Sequence, residues 1–257
     1  MKQLSASKRI KLLSALKRYR KEYLVGKYSE LDESGTRLMI NSFLTDILGF
    51  AKIAEVKTEY MIRGTYADYI IQVKGRRYFI VEVKSMGLDL SAKHLRQAIN
   101  YAANEGIDWA LLTNGKIFDF YKIIFGKPID YQKVFSVDLS QETQLKLATE
   151  YMQYITKALL LQKGLDCLWH KHSALDPSNI SRLLYSKPII NYLKRQLRKS
   201  YKTKFSDDEI QLVITRVIED KIENIVLQKK RKLRRTKVTR RKSTIGEVVS
   251  MSDPSTV

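Results

Sequence analysis

The stretch YADYIIQVKGRRYFIVEVKS, residues 66–85, constrains this chain more than any other. β-branched and aromatic residues lie on both sides of a glycine, the composition of a hairpin in a half-buried sheet. Yet an aspartate, a glutamate and a lysine stand among residues that belong in a core. Asp68 lies seven residues before Gly75, and Glu82 seven after it. A turn centred on Gly75 sets the two carboxylates opposite each other across the strand pair. Lys84, two residues beyond Glu82, projects from the same face. Crowded or buried like charges raise each other's pKa and destabilise a fold. The pattern therefore needs a physical reason: either a solvated face on which Lys84 bridges the acids, or chemistry.

The charge balance narrows the choice. The 257 residues carry a formal net charge of +20, unevenly spread. Ten basic side chains and no acidic one fall within residues 229–242: Lys229, Lys230, Arg231, Lys232, Arg234, Arg235, Lys237, Arg240, Arg241 and Lys242. The first 21 residues carry eight more. Such blocks repel themselves and act as arms toward a polyanion. Each phosphate they neutralise releases counterions, which gives strong, salt-sensitive, sequence-blind affinity. A merely solubilising tail is the plainer alternative. A membrane surface fits less well, because the tail lacks an opposing apolar face. No stretch of eighteen apolar residues offers a membrane span. The N-terminus lacks the apolar core of a secretory signal, and the single cysteine, Cys167, suits a reducing compartment. A cytoplasmic, nucleic-acid-associated protein is the expectation. His170 and His172 lack the neighbours of a zinc site. No G-x-x-x-x-G-K-[ST] motif is present, so no ATP-driven motor is expected in this chain.

Periodicity organises the rest. An amphipathic basic helix is predicted over 7–24, with Ile10, Leu13, Leu16 and Leu24 near one side, inside an N-terminal segment 1–30. A second helix is predicted over 33–48, stopped by Gly49. Strands follow at about 52–62, 67–74 and 77–84, then a helix at about 89–105 with Leu95, Ala98, Ile99 and Ala102 as its core stripe. Asn114-Gly115 marks a tight hairpin turn. This order predicts an α/β or α+β domain over 31–137. A single long connecting helix is expected next (138–165), then a small helical module (173–228) in which Pro188 interrupts a helix and Ser206 with Glu209 caps another. A tail over 229–257 is expected to be disordered.

Two carboxylates converging from adjacent strands suit a hard divalent cation, which takes one or two carboxylates plus waters and phosphate oxygens. Such an ion polarises a phosphodiester and acidifies a bound water, and a neighbouring lysine stabilises charge on the transition state. The neighbouring segments add specificity. ADY at 67–69, VEVKS at 81–85 and QAINY at 97–101, followed by LLTNG at 111–115, resemble the ordered motifs of a PD-(D/E)XK nuclease. The resemblance is closest to the nuclease domain at the N-terminus of type I restriction enzyme R subunits, and it covers about residues 30–125. Glu33, Thr36 and Arg37 resemble the start of that family's upstream helix.

The resemblance implies a restriction-endonuclease-like α/β core, a mixed sheet flanked by helices, followed here by an all-α module and a basic tail. It implies an Mg²⁺-dependent deoxyribonuclease, taken first as an endonuclease, with Mn²⁺ able to substitute. Asp68 and Glu82 would be metal ligands, with the Val83 carbonyl a third. Lys84 would be catalytic, with Gln97 beside it and Glu33, Tyr101 and His94 as accessory candidates. The ten basic residues of 229–242 would bind nucleic acid, first of all DNA. The helical module would recruit a second copy or a partner protein. The alternative is a nucleic-acid-binding module, or a nuclease scaffold, that does not itself cut.

Overall fold

The computed structural model describes residues 2–26, 31–62 and 65–219, so the basic tail expected to bind nucleic acid lies outside the described residues. The chain divides into two compact units, residues 1–174 and 175–257.

A six-stranded mixed sheet in the order β1-β2-β3-β4-β5-β6 forms the centre of the first unit. Its strands are β1 (Val56–Ile62), β2 (Thr65–Val73), β3 (Arg76–Val83), β4 (Trp109–Thr113), β5 (Ile117–Ile124) and β6 (Asp130–Asp138). Only β3 and β4 pair in parallel, because helix α3 (Ala92–Asn104) crosses over between them. β3 and β4 are accordingly apolar on both faces. Phe79, Val81, Val83, Trp109 and Leu111 join a core shared with helices α1 (Ala6–Tyr19) and α2 (Glu33–Ser42). Ile80, Ala110 and Leu112 join a smaller core under α3. The sheet is thus a middle layer with helices on both faces.

The β2–β3 hairpin is built differently from its sequence expectation. Lys74 and Gly75 both have positive φ, 50° and 78°, so the turn has two central residues rather than being centred on Gly75. That turn pairs Val73 with Arg76, a register that would set Asp68 opposite Val81. A bulge between Ile71 and Gln72 then slips the ladder by one residue, giving the pairs Ile71–Phe79 and Tyr69–Val81. Asp68 and Glu82 come next along the restored register. The bulge, not a symmetric turn, faces the two acids across the strands.

Several other expectations are corrected. Residues 52–55 turn rather than extend. Ile10 is 66% exposed, and α1 packs through Leu12, Leu16 and Tyr19 instead. A sixth strand, β6, was not anticipated. Residues 138–165 do not form one helix: α4 (Leu145–Met152) and α5 (Lys157–Leu160) are separated by a break at Thr156, whose backbone is extended. Both α1 and this segment belong to the unit that holds the sheet. Pro188 opens rather than interrupts a helix, which is where its fixed φ and missing N–H cost nothing. The Ser206–Glu209 capping box forms as expected, with bonds of 2.6 and 3.2 Å.

The β4–β5 connection ties the sheet to the helices. Gly115 has φ +81°, but Asn114 does not share the positive φ expected of a two-residue turn. The Asn114 side chain instead accepts bonds from the Lys116 and Ile117 N–H groups and donates to the Leu88 carbonyl. A Cβ on Gly115 would fall 2.1 Å from the Met39 methyl, in a backbone conformation that L residues avoid. Gly115→Ala is expected to destabilise the protein by about 2–4 kcal/mol in urea unfolding. A change within about 0.5 kcal/mol, the range of an inconsequential surface substitution, would contradict this packing.

Candidate active site

Alternation along β2 and β3 sends Asp68, Glu82 and Lys84 to the α3 side of the sheet, beyond Ile70 and Ile80. All three are buried, with Glu82 only 1% exposed. The segment entering α2 passes beside them. The Met86 N–H donates to the Leu31 carbonyl at 3.0 Å, tying that segment to the chain leaving β3. Asp32 then caps α2 by accepting from the Gly35 N–H at 2.7 Å. The Tyr69 hydroxyl donates to the Arg37 carbonyl at 2.6 Å, fixing the first turns of α2 to β2.

From there Glu33 and Arg37, one helical turn apart, reach the strands. Arg37 Nη2 lies 2.7 Å from Asp68 Oδ1 and 2.9 Å from Glu33 Oε1. The other Asp68 oxygen, Oδ2, accepts from the Val83 N–H at 2.7 Å. Lys84 Nζ donates to Glu82 Oε1 at 2.7 Å and lies 3.7 Å from Glu33 Oε2. One oxygen is left over. Glu82 Oε2 is buried and has no hydrogen-bond partner, a costly state for a carboxylate.

Protonation follows from this crowding. Burial and the neighbouring Asp68 charge push the Glu82 carboxyl up to about 7, although Lys84 pulls it down. Burial also raises Asp68, against the opposing effects of the Val83 N–H, Arg37 and Lys84. For Lys84 burial favours the neutral amine, but the bond and charge of Glu82, with Glu33 and Asp68, outweigh it and raise its pKa. Glu82 is therefore the group that changes state near neutrality.

The α3 candidates divide. His94 accepts from the Ser91 N–H through Nδ1 at 3.3 Å, which leaves Nε2 to carry the proton of a neutral ring. Burial, with the Lys84 and Lys93 charges, lowers its pKa, so the ring is neutral at physiological pH. Gln97 is exposed, and its amide donates to the Tyr101 hydroxyl at 3.0 Å rather than to the acidic pair. Tyr101, an accessory candidate by the resemblance, has its ring buried among the α3 core residues.

Sequence reasoning did not identify Asp119. Cross-strand register sets Glu82 beside Leu112, Leu112 beside Asp119 and Asp119 beside Ser136. Asp119 accepts from Tyr121 at 3.1 Å and Lys133 at 2.6 Å through Oδ2, while its buried Oδ1 has no partner. The sign was present: an aspartate within the apolar run IFDFYKII is as anomalous as the one within YADYII.

Among the described residues, no group of three or more His, Cys, Asp and Glu side chains is disposed to hold a metal ion. Two carboxylates with one unpaired buried oxygen nonetheless fit a hard cation that completes its shell with a backbone carbonyl, waters and substrate oxygens.

The acidic pair thus sits on a mixed α/β domain whose sheet has helices on both faces. Residues 32–137 match the family described as type I restriction enzyme R protein N terminus. Among solved structures, the chain is similar to the type IIG restriction endonuclease BpuSI, at 22% identity and a TM-score of 0.36. That match covers 55% of this chain and 18% of the BpuSI chain, so this chain spans less than a fifth of that relative's length. No curated protein matches. No described helix is long and apolar enough to cross a membrane.

The Glu82 shift carries a pH consequence. Its folded pKa lies above the usual carboxylate value, so the folded state binds more protons than the unfolded state between about pH 4.5 and 7. Stability in EDTA therefore falls as pH rises through that window, by on the order of 3 kcal/mol from this group. Urea unfolding of wild type and Glu82→Gln from pH 4 to 8 checks this: the substitution should flatten the decline. Parallel profiles would contradict it.

Proposed function

We propose that this chain is a divalent-metal-dependent nuclease that hydrolyses DNA phosphodiesters. The observation that carries the reading is the buried acidic pair with one carboxylate oxygen left unpaired and a lysine 2.7 Å from the other. A binding scaffold gains nothing from burying negative charge where a phosphate must approach. The match to a restriction-enzyme family over residues 32–137 supports the same reading.

Asp68 and Glu82 would hold Mg²⁺, with Mn²⁺ as a substitute and the Val83 carbonyl as a further ligand. The bound ion would polarise the phosphodiester and acidify water. The remaining work belongs to the chain itself. Lys84, kept cationic by Glu82, orients the attacking water and stabilises negative charge growing on the phosphate oxygens. The water oxygen bonds to phosphorus, the P–O3′ bond breaks and the 3′ oxygen takes a proton, leaving a 5′-phosphate and a 3′-hydroxyl. His94, neutral and with its proton on Nε2, donates a hydrogen bond to the substrate backbone. Arg37 neutralises Asp68 in the resting site, and its guanidinium turns to a phosphate oxygen when Asp68 takes up its ligand role. Without a nucleotide-binding motor motif in this sequence, cutting proceeds without ATP-driven translocation by this chain.

Incubation with supercoiled, linear and single-stranded DNA in Mg²⁺, Mn²⁺ or EDTA tests this. Metal-dependent cutting is expected, reduced at least about 100-fold by Glu82→Gln and by Lys84→Met. Binding without cutting in every metal would instead support a silent nucleic-acid-binding module.

A further inference from the structure

The second unit carries a charged surface that the acidic site does not account for. Helix α8 (Lys187–Tyr201) has 15 residues, about 22 Å of axis, and no acidic side chain. Ile190 is buried, and Leu193 and Leu197 are half-buried. The opposite side is basic. At 100° per residue, Asn191, Arg195, Arg198 and Lys199 fall within an arc of about 100°, and Lys202 follows at the C-cap. All five are exposed.

One acid of this unit, Asp207, is held to the side of this arc. Asp207 pairs with Lys187 and with Lys194, at 2.6 Å for the latter, on the edge of the helix toward its buried side. Among the described residues, Arg195, Arg198, Lys199 and Lys202 have no acidic partner. The helix dipole favours cations in the last turn, which accounts for Arg198 and Lys199 but not for Arg195. Arg195 instead stacks over Tyr192, 5.6 Å from the ring centroid, and Tyr192 is itself 51% exposed.

We propose that this face of α8 is a docking surface for duplex DNA. The proposal rests on the nuclease reading and names the form of its substrate. The helix fits the major groove, which admits an α-helix. Arg195, Arg198, Lys199 and Lys202 pair with backbone phosphates, and Asn191 and Tyr192 lie at the edge facing the bases. Single-stranded DNA or RNA would call for a series of aromatic platforms on which successive bases stack, and this surface sets four cations against the single ring of Tyr192, itself covered by Arg195.

The test uses the full chain carrying Glu82→Gln, so that binding is read without cutting. Affinity for a 30-base-pair duplex is measured by fluorescence anisotropy across salt concentrations. Replacing Arg195, Arg198, Lys199 and Lys202 together by Gln should lower the slope of log K against log salt by about 0.9 for each phosphate no longer neutralised, up to about 3.6 in all. A variant with Lys at all four positions should keep the wild-type slope, separating charge from folding, and Lys187→Gln should leave it unchanged. An unaltered slope in the Gln variant would overturn the proposal. So would a loss confined to single-stranded DNA or RNA. Cleavage is scored separately in chains with native Glu82. If wild type never cuts but the slope falls, the nuclease reading fails and the surface stands; if saturating DNA is cut and the slope holds, the reverse is true.

Discussion

Everything at the centre of this protein depends on keeping two carboxylates out of water side by side. Asp68 and Glu82 are buried on one face of the sheet, where charge is expensive. The surrounding structure offsets that cost piece by piece. The Val83 N–H and Arg37 take the two oxygens of Asp68, and Lys84 takes one oxygen of Glu82. The last oxygen is unsatisfied, and Glu82 responds by binding a proton up to about pH 7. A cation that displaced the proton would relieve the same cost by other means.

The fold is arranged around that compensation. The bulge at Ile71/Gln72 turns a two-residue hairpin into one that faces the acids across the strands. The parallel β3–β4 pair, with α3 beneath it, buries the floor on which they stand. The Met86–Leu31 hydrogen bond and the Tyr69 hydroxyl bring the start of α2 over the strand ends, so that Glu33 and Arg37 supply charge from a separate element. A site assembled from three elements has a geometry that no one of them could slip without cost.

Much of this was legible in the sequence, for reasons that can be named. Charged residues inside an apolar alternation stand out because burial is costly, and Asp68, Glu82 and Lys84, which the fold buries together, were singled out that way. Their cross-strand register was inferred correctly but from the wrong turn, since a bulge leaves no local signature in RRYF or YIIQ. β6 escaped because its outer half, Asp130 to Lys133, is exposed and polar, as an edge strand can be. The helix expected over 138–165 failed because Thr156 and Lys163 adopt non-helical backbone that their side chains do not announce. Arg37 sits 31 residues before Asp68, so their pairing is a tertiary fact. The burial of Tyr101 was not legible because a large ring can fold back into the core from the flank of a helix.

The most direct measurement is calorimetric titration of the protein with Ca²⁺ near pH 6.5, repeated in buffers of different ionisation enthalpy. If Glu82 is held protonated for want of a cation, Ca²⁺ binds and releases a large fraction of one proton, and Glu82→Gln abolishes both the binding and the release. Ca²⁺ binding that releases no proton, or that survives Glu82→Gln, would contradict the account, as would the absence of any binding.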